Sequence, residues 1–224
     1  MCELEASSDE HAPSKCLFPE RKNAQNNVDY RVNLITVPAC EAHNSAKSRD
    51  DEYLFHALSG SYTSSQIGLD QFTSKVARAF ERAPSKASSF IRQSQPVLLK
   101  RNASDEWEQG AQVIIEAERL DLVLENCARA LYFHETGTKF LGPVNVLTGF
   151  TMYHDPKVQA QVTASFEATG RHFANHPAKG ENPAVFWYKF EEGENTAMFL
   201  MCFYSSSEVL VRLKKRELPS RGQP

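Results

Sequence analysis

Two stretches near the end of the chain, residues 184–190 (AVFWYKF) and 196–204 (TAMFLMCFY), are apolar at nearly every position. A strand with one wet face alternates apolar and polar residues, so strands apolar on both faces need cover on both sides. The polar, glycine-bearing link between them, EEGEN, suits a hairpin, and residues 208–213 supply a third strand. Whatever else this chain builds, it has to sandwich that sheet.

Candidates for the cover lie upstream. Residues 111–133 carry Ile114, Ala117, Leu120, Leu124, Cys127, Ala128 and Leu131 at three- and four-residue steps, with Gly137 as a stop. That is the period of one helix face. Residues 69–82 put Phe72, Val76, Ala79 and Phe80 on one stripe, and residues 156–173 space Val158, Val162 and Phe166 by four. Helices followed by hairpin strands make the expected class α+β, with a C-terminal antiparallel sheet.

The first 58 residues have another texture. They are polar and short in apolar runs, and cannot bury a core without a metal or the rest of the chain. Residues 31–37 (RVNLITV) are expected as a strand with Val32, Leu34 and Thr36 on one face, ended by Pro38. A helix is expected from 44 to about 58. The organisation expected is a small module over 1–58 and an α+β extension over 59–224.

Charge and cysteines narrow the function classes. A formal charge of −3 gives no overall footprint for nucleic acid, so a polyanion would be held by a local basic patch or a metal. Arg212, Lys214, Lys215 and Arg216 make the densest basic cluster, either a solvated tail or a phosphate contact. No run of about 18 apolar residues predicts a membrane span, and the acidic start MCELEASSDEH lacks the apolar core of a secretory signal. Five cysteines form no even disulfide framework, so a cytoplasmic setting is expected, with Cys127 and Cys202 as buried thiols.

Three short stretches carry residues suited to chemistry: Asp9-Glu10-His11, VPACEAHN (37–44) and KSRDDEY (47–53). A histidine can serve as general base because much of it is neutral near pH 7. A carboxylate beside it can hold a hard divalent cation, provided a second oxygen ligand arrives from elsewhere. Seven residues of helix return to within about 20° of the same face, which places Asn44 and Asp51 together and turns Asp50 and Glu52 away. Glu10, with Asp9 ranked behind it, and His11 can approach that face from the preceding hairpin.

An acidic residue and His, a strand and turn, a Cys-x-x-Cys/His-Asn knuckle and a polar helix together resemble the ββα-metal module of HNH endonucleases. The strings EHAPSKCLFP and LITVPACEAHNSAKSRDDEYL carry the resemblance, which covers residues 1–56, and ARALYFHETGTKF (128–140) is similar to a helical extension in one bacterial subgroup. The resemblance implies His11 as general base, Glu10 and Asp51 as ligands of Mg²⁺ (or Mn²⁺), and Asn44 as the brace of the His-bearing loop. It further implies a DNA-favouring nuclease and, by family analogy, the nuclease subunit of a bacterial antiviral defence system paired with an ATPase or sensor. Lys47 and Arg49 are either phosphate-positioning groups or a solvated helix face. A structural Zn²⁺ would use Cys2, Glu5, Cys40 and His43, with Glu5 standing where the family has cysteine; packing alone is the other option for this knuckle, as it is for Cys16.

Other residues that invite attention have plainer explanations. His134, His154, His172 and His176 suit surface or packing roles, Pro177 arguing against a shared helix for the last pair. The aromatic runs Tyr132-Phe133 and Phe186-Trp187-Tyr188 coincide with core periodicity, which favours burial over base stacking.

Overall fold

The computed structural model describes residues 6–24, 27–82, 94–100 and 106–215, the side chains of 41–46, 76–77 and 79–80 excepted. Its fold is mixed α+β, with antiparallel sheets. A two-stranded ribbon pairs β1 (Ser8–His11) with β2 (Thr36–Ala39), and α1 (Glu41–Ser59) follows directly. Next come α2 (Gln66–Arg82) and a second two-stranded ribbon, β3 (Gln95–Lys100) with β4 (Trp107–Gln112). The chain continues through α3 (Ala117–Thr136), β5 (Val144–Thr148) and α4 (Pro156–His172). It closes with β6 (Phe186–Glu192), β7 (Thr196–Phe203) and β8 (Ser207–Lys214). The last sheet is four-stranded, ordered β5-β8-β7-β6 and antiparallel throughout.

The doubly apolar strands are covered on both faces, as their composition requires. On one face Phe186, Tyr188, Phe199, Met201, Phe203, Val209 and Val211 share a core with Leu120, Leu124 and Leu131 of α3 and Leu54, Phe55 and Leu58 of α1. On the other, Leu200, Cys202 and Leu210 are also buried. Helix α4 is on that side: Lys189 Nζ donates to the Phe173 carbonyl just past its end, 2.8 Å away. Gly149, at the end of β5, leaves room for the α4 ring of Phe166, which would stand 3.0 Å from a Cβ there.

Local signals set the helix ends. The Asp155 side chain accepts from the Lys157 N–H, with Pro156 opening α4. Gly137, at φ 70°, takes the left-handed position that ends α3, its N–H donating to the Phe133 carbonyl. Helix α4 ends at His172, so His172 and His176 are not on one helical face, although their rings stack with centroids 5.7 Å apart.

Several sequence expectations need correction. Residues 31–33 form a turn rather than strand: the Asp29 carboxylate accepts from the Arg31 N–H and Asn33 adopts a φ of 52°. The strand begins at Thr36, and Pro38 lies inside it, tolerated because the ribbon has only two strands and asks no second ladder of β2. Helix α1 starts at Glu41, before the expected position 44. The helix expected over 111–133 starts at Ala117, because Ala111 and Gln112 pair with Pro96 and Gln95 in the β3–β4 ribbon. Ile114, placed on its apolar stripe by spacing, is 89% exposed. The strands β3, β4 and β5 were not anticipated. Val76, Ala79 and Phe80, expected on one stripe of α2, have side chains outside the described residues, as does Arg216 of the basic cluster.

Among the described residues no helix is long and apolar enough to cross a membrane. Cys127 and Cys202 are buried thiols outside any disulfide, as the periodicity predicts.

One polar cluster ties α3 to the sheet. Tyr188 donates through its hydroxyl to Glu135 Oε1 at 2.6 Å, and Lys179 Nζ donates to Oε2 at 2.5 Å. Burial opposes ionisation of Glu135, but the lysine and the tyrosine hydroxyl outweigh it and hold the carboxyl below its usual range. Glu135→Ala leaves the buried Tyr188 hydroxyl without its acceptor and should cost about 1–3 kcal/mol in urea unfolding at neutral pH. Because the folded carboxyl is the stronger acid, its stabilisation is present above the unfolded value and is lost as pH falls through the folded one. The gap between wild type and variant should therefore narrow in acid.

Candidate functional site

The β1–β2 register decides which way the acidic segment faces. Glu10 stands opposite buried Val37, and Asp9 and His11 stand opposite Pro38 and Thr36, both exposed. Cross-strand partners share a face, so Glu10 turns inward toward α1 while Asp9 and His11 occupy the outer face. Asp9, ranked second as a ligand, is exposed there.

Helix α1 brings the complementary groups. Lys47 and Asp51 are four residues apart on one face, and the Lys47 ammonium bonds Glu10 Oε1 while lying 3.6 Å from Asp51 Oδ1. Glu10 and Asp51, 41 residues apart in sequence, thus meet at one cation. The side chains are only 11% exposed for Lys47 and 18% for each carboxylate, so water screens them weakly.

Electrostatics follow from that burial. Burial raises the Asp51 carboxyl above its ordinary value, with the Lys47 ammonium opposing. Burial also works against the Lys47 charge, but Asp51 and Glu10 outweigh it and hold the ammonium above the usual lysine range. Asp51 Oδ1 is buried and has no hydrogen-bond partner among the described residues. Buried carboxylate oxygens are normally satisfied, which makes this atom an open valence.

Around the trio the loop after β1 is fastened to α1. The Cys16 thiol accepts from Ser14 Oγ and donates to the Asp51 carbonyl, each at 3.4 Å, and Lys75 Nζ donates to the Cys16 carbonyl at 2.7 Å. Cys16 therefore has a packing role here. Cys127 of α3 lies within electrostatic reach of Lys47, Asp51 and Glu10, and burial pushes its thiol up to about 12. Asp50 is turned away, as helix phase predicts, and bonds Arg119 Nε of α3 at 2.7 Å. Glu52 is exposed, 3.8 Å from His56 Nε2.

His11 keeps different company. Burial lowers its pKa, Lys15 adds to the lowering, and the Ile35 carbonyl and Asp9 work the other way. Its Nδ1 is buried without a hydrogen-bond partner among the described residues. The histidine is thus beside the acidic pair in sequence and across the ribbon from it in space.

The remaining expected residues divide as follows. Asn44 and His43 lie in the first turn of α1, with side chains outside the described residues. Cys2 and Glu5 are outside the described residues altogether, and of the expected zinc set only Cys40, buried at the N-cap of α1, is described. Arg49 is exposed. Lys47 is turned inward rather than toward solvent, which its i,i+4 spacing from Asp51 could have signalled. The contribution of Cys16 and Cys127 has no sequence signal, because it depends on which loop and helix pack against α1.

Among the described residues no group of three or more His, Cys, Asp or Glu is arranged to hold a metal ion. Two carboxylates do share one cation position, held by the Lys47 ammonium, and one of their oxygens has no hydrogen-bond partner among the described residues; hard oxygen donors of this kind are the type a divalent ion takes. No family model matches the chain, nor does any curated protein or solved structure.

A thiol held near 12 is not nucleophilic at neutral pH. Cys127 and Cys202 should stay unlabelled by Ellman's reagent in the native protein and react at once when guanidinium unfolds it.

Proposed function

We propose that the chain is a metal-dependent endonuclease of the HNH type that hydrolyses phosphodiester bonds in nucleic acid, with DNA the favoured substrate. The observation that carries this reading is the meeting of Glu10, from β1, and Asp51, from α1, at a single cation position. The strand-strand-helix order of β1, β2 and α1 supports it, as does the resemblance of the segments bearing Glu10, Asn44 and Asp51 to that family.

In this reading Glu10 and Asp51 hold Mg²⁺ or Mn²⁺. The ion they would hold would supply neutralisation of charge on the phosphate and on the leaving 3′ oxygen. His11 is the general base that takes the proton from the attacking water, and Asn44 braces the loop that carries it. In-line displacement puts the attacking and leaving oxygens on opposite sides of phosphorus. Because His11 and Glu10 occupy opposite faces of the strand, this reading requires the phosphate to reach both groups at the ribbon's edge. Arg49, exposed on α1, is available to a flanking phosphate. A role as the nuclease subunit of a bacterial defence system, beside an ATPase or sensor, extends the same reading.

A second reading is a catalytically inert HNH-like binding or scaffold subunit. The Lys47 ammonium between the two carboxylates favours it, since a permanent internal cation leaves no place for another.

Plasmid nicking with Mg²⁺ or Mn²⁺ separates the two. The nuclease reading expects wild-type nicking that chelation stops, and a loss of about 100-fold or more in both His11→Ala and Asp51→Ala. Unimpaired cleavage by His11→Ala in excess Mg²⁺ removes His11 as the base, and wild-type protein that never nicks leaves the scaffold reading.

A further inference from the structure

We infer that Lys47 is a resident competitor for the cation position: a divalent ion reaches Glu10 and Asp51 only when the Lys47 ammonium swings out. The inference deepens the nuclease reading above and rests on it.

Charge balance is the first argument. Two carboxylates and one ammonium sum to −2 + 1 = −1, so the trio is under-neutralised while poorly screened by water. A divalent ion in place of the ammonium brings the pair to −2 + 2 = 0. An ion added beside the ammonium would put two cations within a few ångströms at low exposure, where repulsion scales with the product of their charges. Exchange is favoured over addition.

Geometry is the second. The Lys47 ammonium bonds Glu10 Oε1 but stands 3.6 Å from Asp51 Oδ1, an ion-pair distance beyond hydrogen-bond range, so it is held more tightly at one carboxylate than at the other. Among the described residues that oxygen has no hydrogen-bond partner. Asp51 is thus a ligand left partly open. Lys47 is tethered by a flexible four-carbon stem, so it can leave without moving the α1 backbone. A guanidinium at this place would fork across both carboxylates, whereas an ammonium is a point charge that a metal ion can replace.

The test is Mn²⁺ binding to the full chain, read from the EPR signal of unbound Mn²⁺, for wild type, Lys47→Met and Lys47→Arg. Lys47→Met removes the competitor and should bind Mn²⁺ about tenfold tighter or more, as expected for deleting one poorly screened charge. Lys47→Arg keeps a cation there and should bind no tighter than wild type. Equal affinity in wild type and Lys47→Met overturns the inference, and so does absence of binding in both. Should Lys47→Met fail to fold by circular dichroism, wild type suffices: the Lys47 ¹⁵N ammonium resonance, assigned by its loss in Lys47→Arg, should lose its protection from solvent exchange as Mg²⁺ saturates. A resonance unmoved by saturating Mg²⁺ overturns the inference equally. Nicking by wild type with no affinity gain in Lys47→Met sinks the competitor and spares the nuclease; the gain without nicking does the reverse.

Discussion

Strand β7 has almost no solvent face, and the molecule is arranged around hiding it. Ala197, Phe199, Met201 and Phe203 point into the core shared with α1 and α3, while Leu200 and Cys202 are buried on the side of α4. Burial on this scale is non-directional, so it assembles the layers without fixing what they do. Specific polar contacts then set the register of the pieces. Tyr188 and Lys179 meet at Glu135, and the Tyr204 hydroxyl donates to the Leu17 carbonyl at 2.7 Å, where Gln71 Nε2 also donates at 2.6 Å.

Those last two bonds matter for the candidate site. Leu17, Phe18 and Val37 of the polar N-terminal stretch belong to the same hydrophobic cluster as the C-terminal sheet. The ribbon and α1 are therefore stabilised by the extension, which answers how so polar a segment holds a defined shape. Arg119 joins the two parts again through Asp50 and the Arg49 carbonyl, and stacks over the Tyr53 ring at 4.5 Å. The helix that carries Lys47 and Asp51 is thus held from Arg49 to Leu58, and two carboxylates can be kept close at a depth where they would otherwise repel each other.

A buried carboxylate pair with a single ammonium is an expensive feature for stability alone. Desolvating the charges costs several kcal/mol per ion, and apolar residues of similar volume often do as well or better. Perturbed carboxyl groups concentrate at functional sites, although structural ion-pair networks perturb them too. Asp51, raised by burial and open at one oxygen, is the residue in which that argument is strongest.

Much of this was legible in the sequence. Continuous apolar strands announced the buried hairpin, Gly137 marked the end of α3, and the seven-residue step singled out Asp51 while turning Asp50 away. These are local or periodic properties, written in neighbouring residues. What the chain could not state alone depends on partners distant in sequence. Ala111 belongs to a strand because Pro96 lies beside it, and Ile114 is exposed although its spacing fits a core stripe. Likewise, Glu10 faces inward and His11 outward because Val37 and Thr36 stand opposite them. Sequence alone marked Glu10, His11 and Asp51 as suited to one chemistry. Only the strand register and the packing of α1 decided that the two carboxylates meet across Lys47 while the histidine takes the other face.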